Sequence, residues 1–183
     1  MHSQGVENVA YVWHSWGVGA YYGQNDYPDY YPELPDSVEI NQALWYPGDD
    51  YVDWVAMSVF GTGWGDLSSN AVVQWLINFA EEHDKPVMLA ETAAIKTSGQ
   101  SNPDWVIENT VWFDNVFSLI NDNNSVKAFT YINVDWEAAN PSSTWGDTRI
   151  QSAPFYIVDY WRSKIASFIH ADEDFYSKIN YAE

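Results

Sequence analysis

The feature that most constrains the fold is an alternation. Four nearly unbroken apolar runs, Val9–Trp13, Tyr51–Phe60, Pro86–Glu91 and Val126–Val134, are rich in β-branched and aromatic residues and have the length of strands. Between the second and third, Val72, Val73, Leu76, Phe79 and Ala80 recur with the helical period. That spacing predicts a helix capped by Ser68 or Ser69 and ending near Glu82. A second helix is predicted over Asp104–Asn121, with Val111, Trp112, Val116, Phe117 and Ile120 as its buried stripe, and a last one over Pro154–Ile169. Asp135–Gly146 reads as a loop. Strands alternating with helices pair in parallel through right-handed crossovers, and parallel strands covered on both faces are apolar throughout. Two α/β architectures satisfy this pattern: a small doubly wound sheet, or part of a (βα)8 TIM barrel. A whole barrel takes about 250 residues and eight strands. The four strands predicted in these 183 residues make half of one.

Charge and composition narrow the function classes. Seven Lys and Arg stand against 26 Asp and Glu, a net charge of −19, which opposes binding to nucleic-acid backbones or anionic membrane surfaces. With no cysteine, disulfides, zinc–thiolate sites and thiol nucleophiles are excluded together. No metal-ligand spacing or phosphate-binding glycine loop occurs, and Gly61-Thr62-Gly63-Trp64-Gly65 lacks the dinucleotide pattern, so no metal or cofactor is expected. No run reaches the roughly 18 apolar residues of a membrane helix, and the N-terminus lacks a signal-peptide pattern. Eleven Trp, 13 Tyr and 8 Phe exceed what a core of this size needs and suit a sugar-binding surface. The segment from Gly17 to Pro47, rich in Tyr, Pro, Asp and Gly, is expected to be a binding or lid loop. Residues 1–183 read as a single domain.

In βα architectures, functional groups collect at the C-terminal ends of the strands. Here those ends carry Trp13-His14-Ser15-Trp16, Phe60 to Trp64, Glu91-Thr92 and Asn133 to Glu137. Glu91 terminates an apolar strand, where a carboxylate is costly unless something uses or pairs with it. It is either a catalytic group or a solvated, hydrogen-bonded loop carboxylate. Trp13, Trp16, Trp64, Trp136 and Trp145 lie at or beyond strand ends, placed to stack on sugar rings. Trp54, Trp75, Trp112 and Trp161 lie on strand or helix faces and are read as core. His14 is read either as a partner for a sugar hydroxyl or as an ordinary hydrogen-bonded histidine.

Several of these motifs, in order, resemble the clan A glycoside hydrolases, most nearly the family 26 type of β-mannanases and related β-glucanases. Trp45-Tyr46-Pro47-Gly48-Asp49-Asp50-Tyr51-Val52-Asp53-Trp54-Val55 matches barrel strand six, and Lys85-Pro86-Val87-Met88-Leu89-Ala90-Glu91 matches strand seven. Lys127 to Trp136 echoes strand eight, Trp145 to Ile150 the segment before the last helix, and Val6 to Ser15 strand five. The resemblance implies strands five to eight of the barrel, a polysaccharide partner, secretion, and Glu91 as the nucleophile of a retaining mechanism. Such a mechanism needs a second carboxyl group about 5–5.5 Å away as acid/base. In the clan that group ends strand four, ahead of where this resemblance begins. Asp135 and Glu137 are the nearest substitutes, on the wrong side of Glu91, and Phe60 stands where the family often has a tyrosine bonded to the nucleophile. Substrate contacts are expected from Trp13, His14, Trp16, Phe60, Trp64, Asp135, Trp136 and Trp145. A half-barrel leaves two open strand edges, so a homodimer or a separate N-terminal half-barrel is the expected partner. The alternative function is a non-catalytic carbohydrate-binding or structural half-barrel.

Overall fold

The computed structural model describes residues 9–15, 45–60, 66–96 and 111–168. Within them, strands β1 (Val12–Ser15), β2 (Trp54–Phe60), β3 (Val87–Ala93) and β4 (Val126–Phe129) form one sheet in the order β1-β2-β3-β4. All three pairings are parallel. Helix α1 (Ala71–Glu82) joins β2 to β3, and α2 (Val111–Asp122) precedes β4. The short α3 (Trp136–Ala139) and then α4 (Phe155–Ile165) follow it.

The strand order chooses between the two architectures left open by the sequence. A doubly wound sheet reverses its order at a switch point, which sends helices to both faces. Here consecutive strands are always neighbours, so right-handed crossovers stack the helices on one face. The arrangement is consistent with half a barrel. The side chains on the helix-covered face form the core. Val55, Met57 and Val59 of β2 and Val87 and Leu89 of β3 pack with Leu76 of α1, Phe113, Val116 and Phe117 of α2, and Ile157 of α4. Because strand side chains alternate, Ala56, Ser58 and Phe60 of β2 point to the opposite face.

Several boundaries depart from expectation. The cap of α1 is Asn70, whose side chain accepts from the Val72 and Val73 amides at 3.0 and 3.2 Å. Ser68 and Ser69 instead belong to a turn held by Asp66, whose carboxylate takes the Ser68 amide and whose carbonyl takes the Ser69 hydroxyl. On α2, Phe113 and Leu119 are buried, whereas Val111 is 43% exposed. The helix has more apolar residues than one stripe can hold, and its seat on the sheet selects among them. β1 begins at Val12 rather than Val9, and β4 ends at Phe129 rather than Val134. Beyond it, Thr130 and Ile132 still donate to the Leu89 and Thr92 carbonyls. The expected loop after Asp135 contains α3, because Asp135 accepts from the Ala138 amide and nucleates a turn.

Candidate active site

Glu91 owes its position to an irregularity in β3. Val55, Ala56 and Met57 pair in step with Val87, Met88 and Leu89, but Ser58 then pairs with Glu91, leaving Ala90 as an extra residue. Strict alternation would put Glu91 on the same face as Val87 and Leu89, beneath the helices. One inserted residue reverses the phase. The carboxylate therefore emerges beside Ser58, on the face away from the helices and at the C-terminal end of the strand. The Ala90 carbonyl, displaced from the ladder, accepts from the Thr130 hydroxyl.

On that face a line of hydrogen bonds crosses three strands. The Ser58 hydroxyl donates to Glu91 Oε2 at 2.9 Å, and His14 Nε2 lies 2.8 Å from Ser58 Oγ. Ser58 is only 1% exposed, whereas Glu91 and His14 are open to solvent. Pairing of His14 with Ala56 explains the contact, since it puts the imidazole on the Ala56–Ser58 face. Next along β2, Phe60 lies 5.2 Å from Trp145 between ring centroids, and Trp145 lies 4.9 Å from Trp136, edge to face. Lys96 fastens this aromatic row: its amide donates to the Trp145 carbonyl at 2.9 Å and its ammonium meets Glu137 at 3.0 Å.

The structure thus brings together His14, Glu91, Phe60, Trp136 and Trp145 from among the expected site residues. Trp13 is turned away. In register with Val55, it faces the helices and packs on Tyr46 and Phe79 at centroid distances of 5.1 and 5.3 Å. Asp135 is occupied structurally, one oxygen capping α3 and the other 3.2 Å from Arg149. Trp16 and Trp64 lie outside the described residues. Ser58 was missed, although a hydroxyl inside the apolar run Trp54–Phe60, two positions before Phe60, is the signal that could have found it. Among the described residues no group of three His, Asp or Glu is arranged to hold a metal, and no helix is long and apolar enough to cross a membrane. A cavity of about 300 Å³ lined by Glu81, Asp84, Lys85, Pro86, Ser125 and Lys127 lies at the opposite end of the sheet, before β3 and β4.

Asp147 and Arg149 brace the segment behind the aromatic row. Arg149 grips Asp147 through Nε and Nη2 at 2.8 and 2.7 Å, and these hydrogen bonds hold the Asp147 carboxyl below the usual carboxylate range. Burial, more than any partner, raises the Tyr131 phenol, whose hydroxyl donates to the Thr148 carbonyl at 2.7 Å.

No family model matches the chain. It is similar to a β-1,3-xylanase of Alcaligenes sp, 32% identical over 83% of this chain and 36% of the relative. A second relative, β-1,3-xylanase TXYA of Vibrio sp, is 29% identical over 96% of this chain and 39% of the relative. The chain therefore spans little more than a third of the length of these relatives. Both names are those of glycosidases acting on a β-linked polysaccharide, in keeping with the glycoside hydrolase resemblance at that coarser level, and neither is a mannanase. The fold also overlays on 32% of the crystal structure of an engineered protein, covering 91% of this chain at 19% identity with a TM-score of 0.49.

Proposed function

We propose that the chain carries the nucleophile side of a retaining glycosidase site for a β-linked xylan, of the clan A type, with Glu91 attacking the anomeric carbon. The observation that carries this reading is the placement of Glu91. An inserted residue turns its carboxylate out of the core at a strand's C-terminal end, where Ser58 binds one oxygen and an aromatic row lies alongside. The rings of Phe60, Trp136 and Trp145 stack on the apolar faces of successive sugars. The two β-1,3-xylanase relatives support xylan over mannan as the substrate, and a polymeric substrate suits a secreted protein. The acid/base carboxyl, which in the clan ends strand four, lies outside the four described strands.

A substrate whose leaving group needs no proton tests Glu91 without that partner. With a dinitrophenyl fluoroxyloside, in which fluorine replaces the hydroxyl next to the anomeric carbon, Glu91 forms an ester to that carbon as the bond to the phenolate oxygen breaks. The electron pair leaves with dinitrophenolate, and fluorine slows hydrolysis of the ester. The expected result is one sugar adduct per chain, located on Glu91 by peptide mass spectrometry and absent from Glu91→Gln. A folded chain that binds xylo-oligosaccharide, quenching tryptophan fluorescence without acquiring the adduct, would instead identify a carbohydrate-binding module.

A further inference from the structure

The hydrogen bonds of Ser58 define a positioning device, and the inference rests on Glu91 being the nucleophile. We infer that His14 and Ser58 act as a relay that holds Glu91 in its attacking orientation and assigns different tasks to its two oxygens. The argument is a count of protons. A serine hydroxyl has one proton to donate, and an ionised carboxylate can only accept. The hydroxyl proton of Ser58 is committed to Glu91 Oε2, so Ser58 Oγ must accept from its other neighbour, His14 Nε2, 2.8 Å away. The imidazole therefore carries a proton on Nε2.

The relay has a direction, from His14 through Ser58 to Glu91, and each bond polarises the next. Oε2 is held by Ser58 and becomes the carbonyl oxygen of the ester. Oε1 is left to attack. Burial of Ser58 allows its hydroxyl little choice of rotamer, so the carboxylate plane is set by β2 rather than by solvent. The register shift at Ala90 and this relay are complementary: the first delivers the carboxylate to the face, and the second fixes its rotation. His14 and Ser58 are positioning residues, acting on substrate through Glu91.

Two measurements on the full chain test this. Nitrogen NMR of histidine-labelled protein reports which ring nitrogen of His14 bears the proton. Nε2 is expected in the wild type, with that preference lost in Ser58→Ala; an Nδ1 proton in the wild type, or no change in the variant, would overturn the relay. The second measurement is the rate of Glu91 labelling by the fluoroxyloside. Hydrogen bonds to a charged group are strong enough that Ser58→Ala and His14→Phe should slow labelling roughly 10- to 100-fold. His14→Gln, which keeps an N–H near the Nε2 position, should remain within about threefold of wild type. Xylo-oligosaccharide binding should be unchanged in Ser58→Ala, because Ser58 is buried beneath the site surface. Equal slowing by His14→Phe and His14→Gln would sink the positioning role, as would full activity of His14→Phe. If the wild type takes no label while His14 carries its Nε2 proton, the glycosidase reading fails, and with it the positioning role. A labelled wild type with the proton on Nδ1 removes the relay alone.

Discussion

Individual side chains around the site divide into those left available and those already engaged, and titration can tell them apart. Asp147 belongs to the second group, gripped through both oxygens by Arg149, which also reaches Asp135. Its carboxyl is held below its ordinary value, chiefly by the Arg149 hydrogen bonds, so the ionised form is favoured in the folded state. Stabilisation from such a group is complete above the unfolded pKa and is lost as pH falls through the lower folded value. Asp147→Asn should therefore be less stable than wild type at neutral pH, with the difference closing below about pH 4, where the unfolded carboxyl itself protonates. Urea unfolding at a series of pH values checks this, and a gap that persists unchanged into acid would refute it. Asp49 is similarly committed, bonded by Tyr46 at 2.8 Å and His83 at 2.7 Å, and these bonds lower its pKa. Among the described residues, Glu91 is bonded by the Ser58 hydroxyl on Oε2, an arrangement that leaves Oε1 for chemistry.

At the scale of elements, the irregular strand β3 matters most. An extra residue in a parallel pair breaks the ladder, and its stranded backbone groups need other partners. The Thr130 hydroxyl meets that need at the Ala90 carbonyl. Thr130→Val preserves shape and branching while removing this donor. Because Thr130 is exposed, water replaces part of the bond, and the expected loss is about 1 kcal/mol in denaturant unfolding. The same variant should slow fluoroxyloside labelling, since the register shift that presents Glu91 is less firmly held. Unaltered stability together with unaltered labelling would mean the bulge is maintained by the ladder alone. Helix α1 offers an independent check. Replacing its cap, Asn70→Ala, exposes two first-turn amides and should cost about 1 kcal/mol without changing the labelling rate. A comparable loss in Ser69→Ala and none in Asn70→Ala would reverse the assignment of the cap.

For the whole molecule, the sheet poses a problem of closure. In a barrel every strand has two neighbours, but among the described residues the outer edges of β1 and β4 are unpaired. Our proposal for the assembly is a two-fold homodimer, in which the four described strands of each chain complete an eight-stranded enclosure. Two chains of net charge −19 repel each other, and salt screens that repulsion over about 10 Å at 0.1 M. Light scattering should therefore give a molar mass approaching twice 21.0 kDa as salt is raised, with more monomer at low ionic strength. A monomer at all salt concentrations would rule out the homodimer. Dimerisation brings a second Glu91 into the assembly but, among the described residues, no carboxyl at the clan's acid/base position, so hydrolysis of unactivated xylan by these residues alone is expected to be far slower than labelling by the dinitrophenyl substrate.

What the amino-acid sequence determined by itself was the set of elements and the end of the sheet where the candidate site is expected. Apolar runs and helical periodicity are local signals, because burying one face of an element imposes its period on the residues within it. The β-α-β order, a helix ending at Glu82 and a carboxylate among the last residues of β3 were legible in that way, although β3 runs on past Glu91 to Ala93. So were the strand-end aromatics Phe60, Trp136 and Trp145, which the structure gathers into one row. Only the tertiary structure decided which face each residue takes. Trp13 and His14 are adjacent in sequence, yet pairing with β2 sends one under the helices and the other to Ser58. Alternation alone would bury Glu91, and the extra residue at Ala90 reverses it. The physical reason is that strand phase depends on a partner distant in the chain: a shift of one residue exchanges the two faces while leaving the local pattern of the strand unaltered.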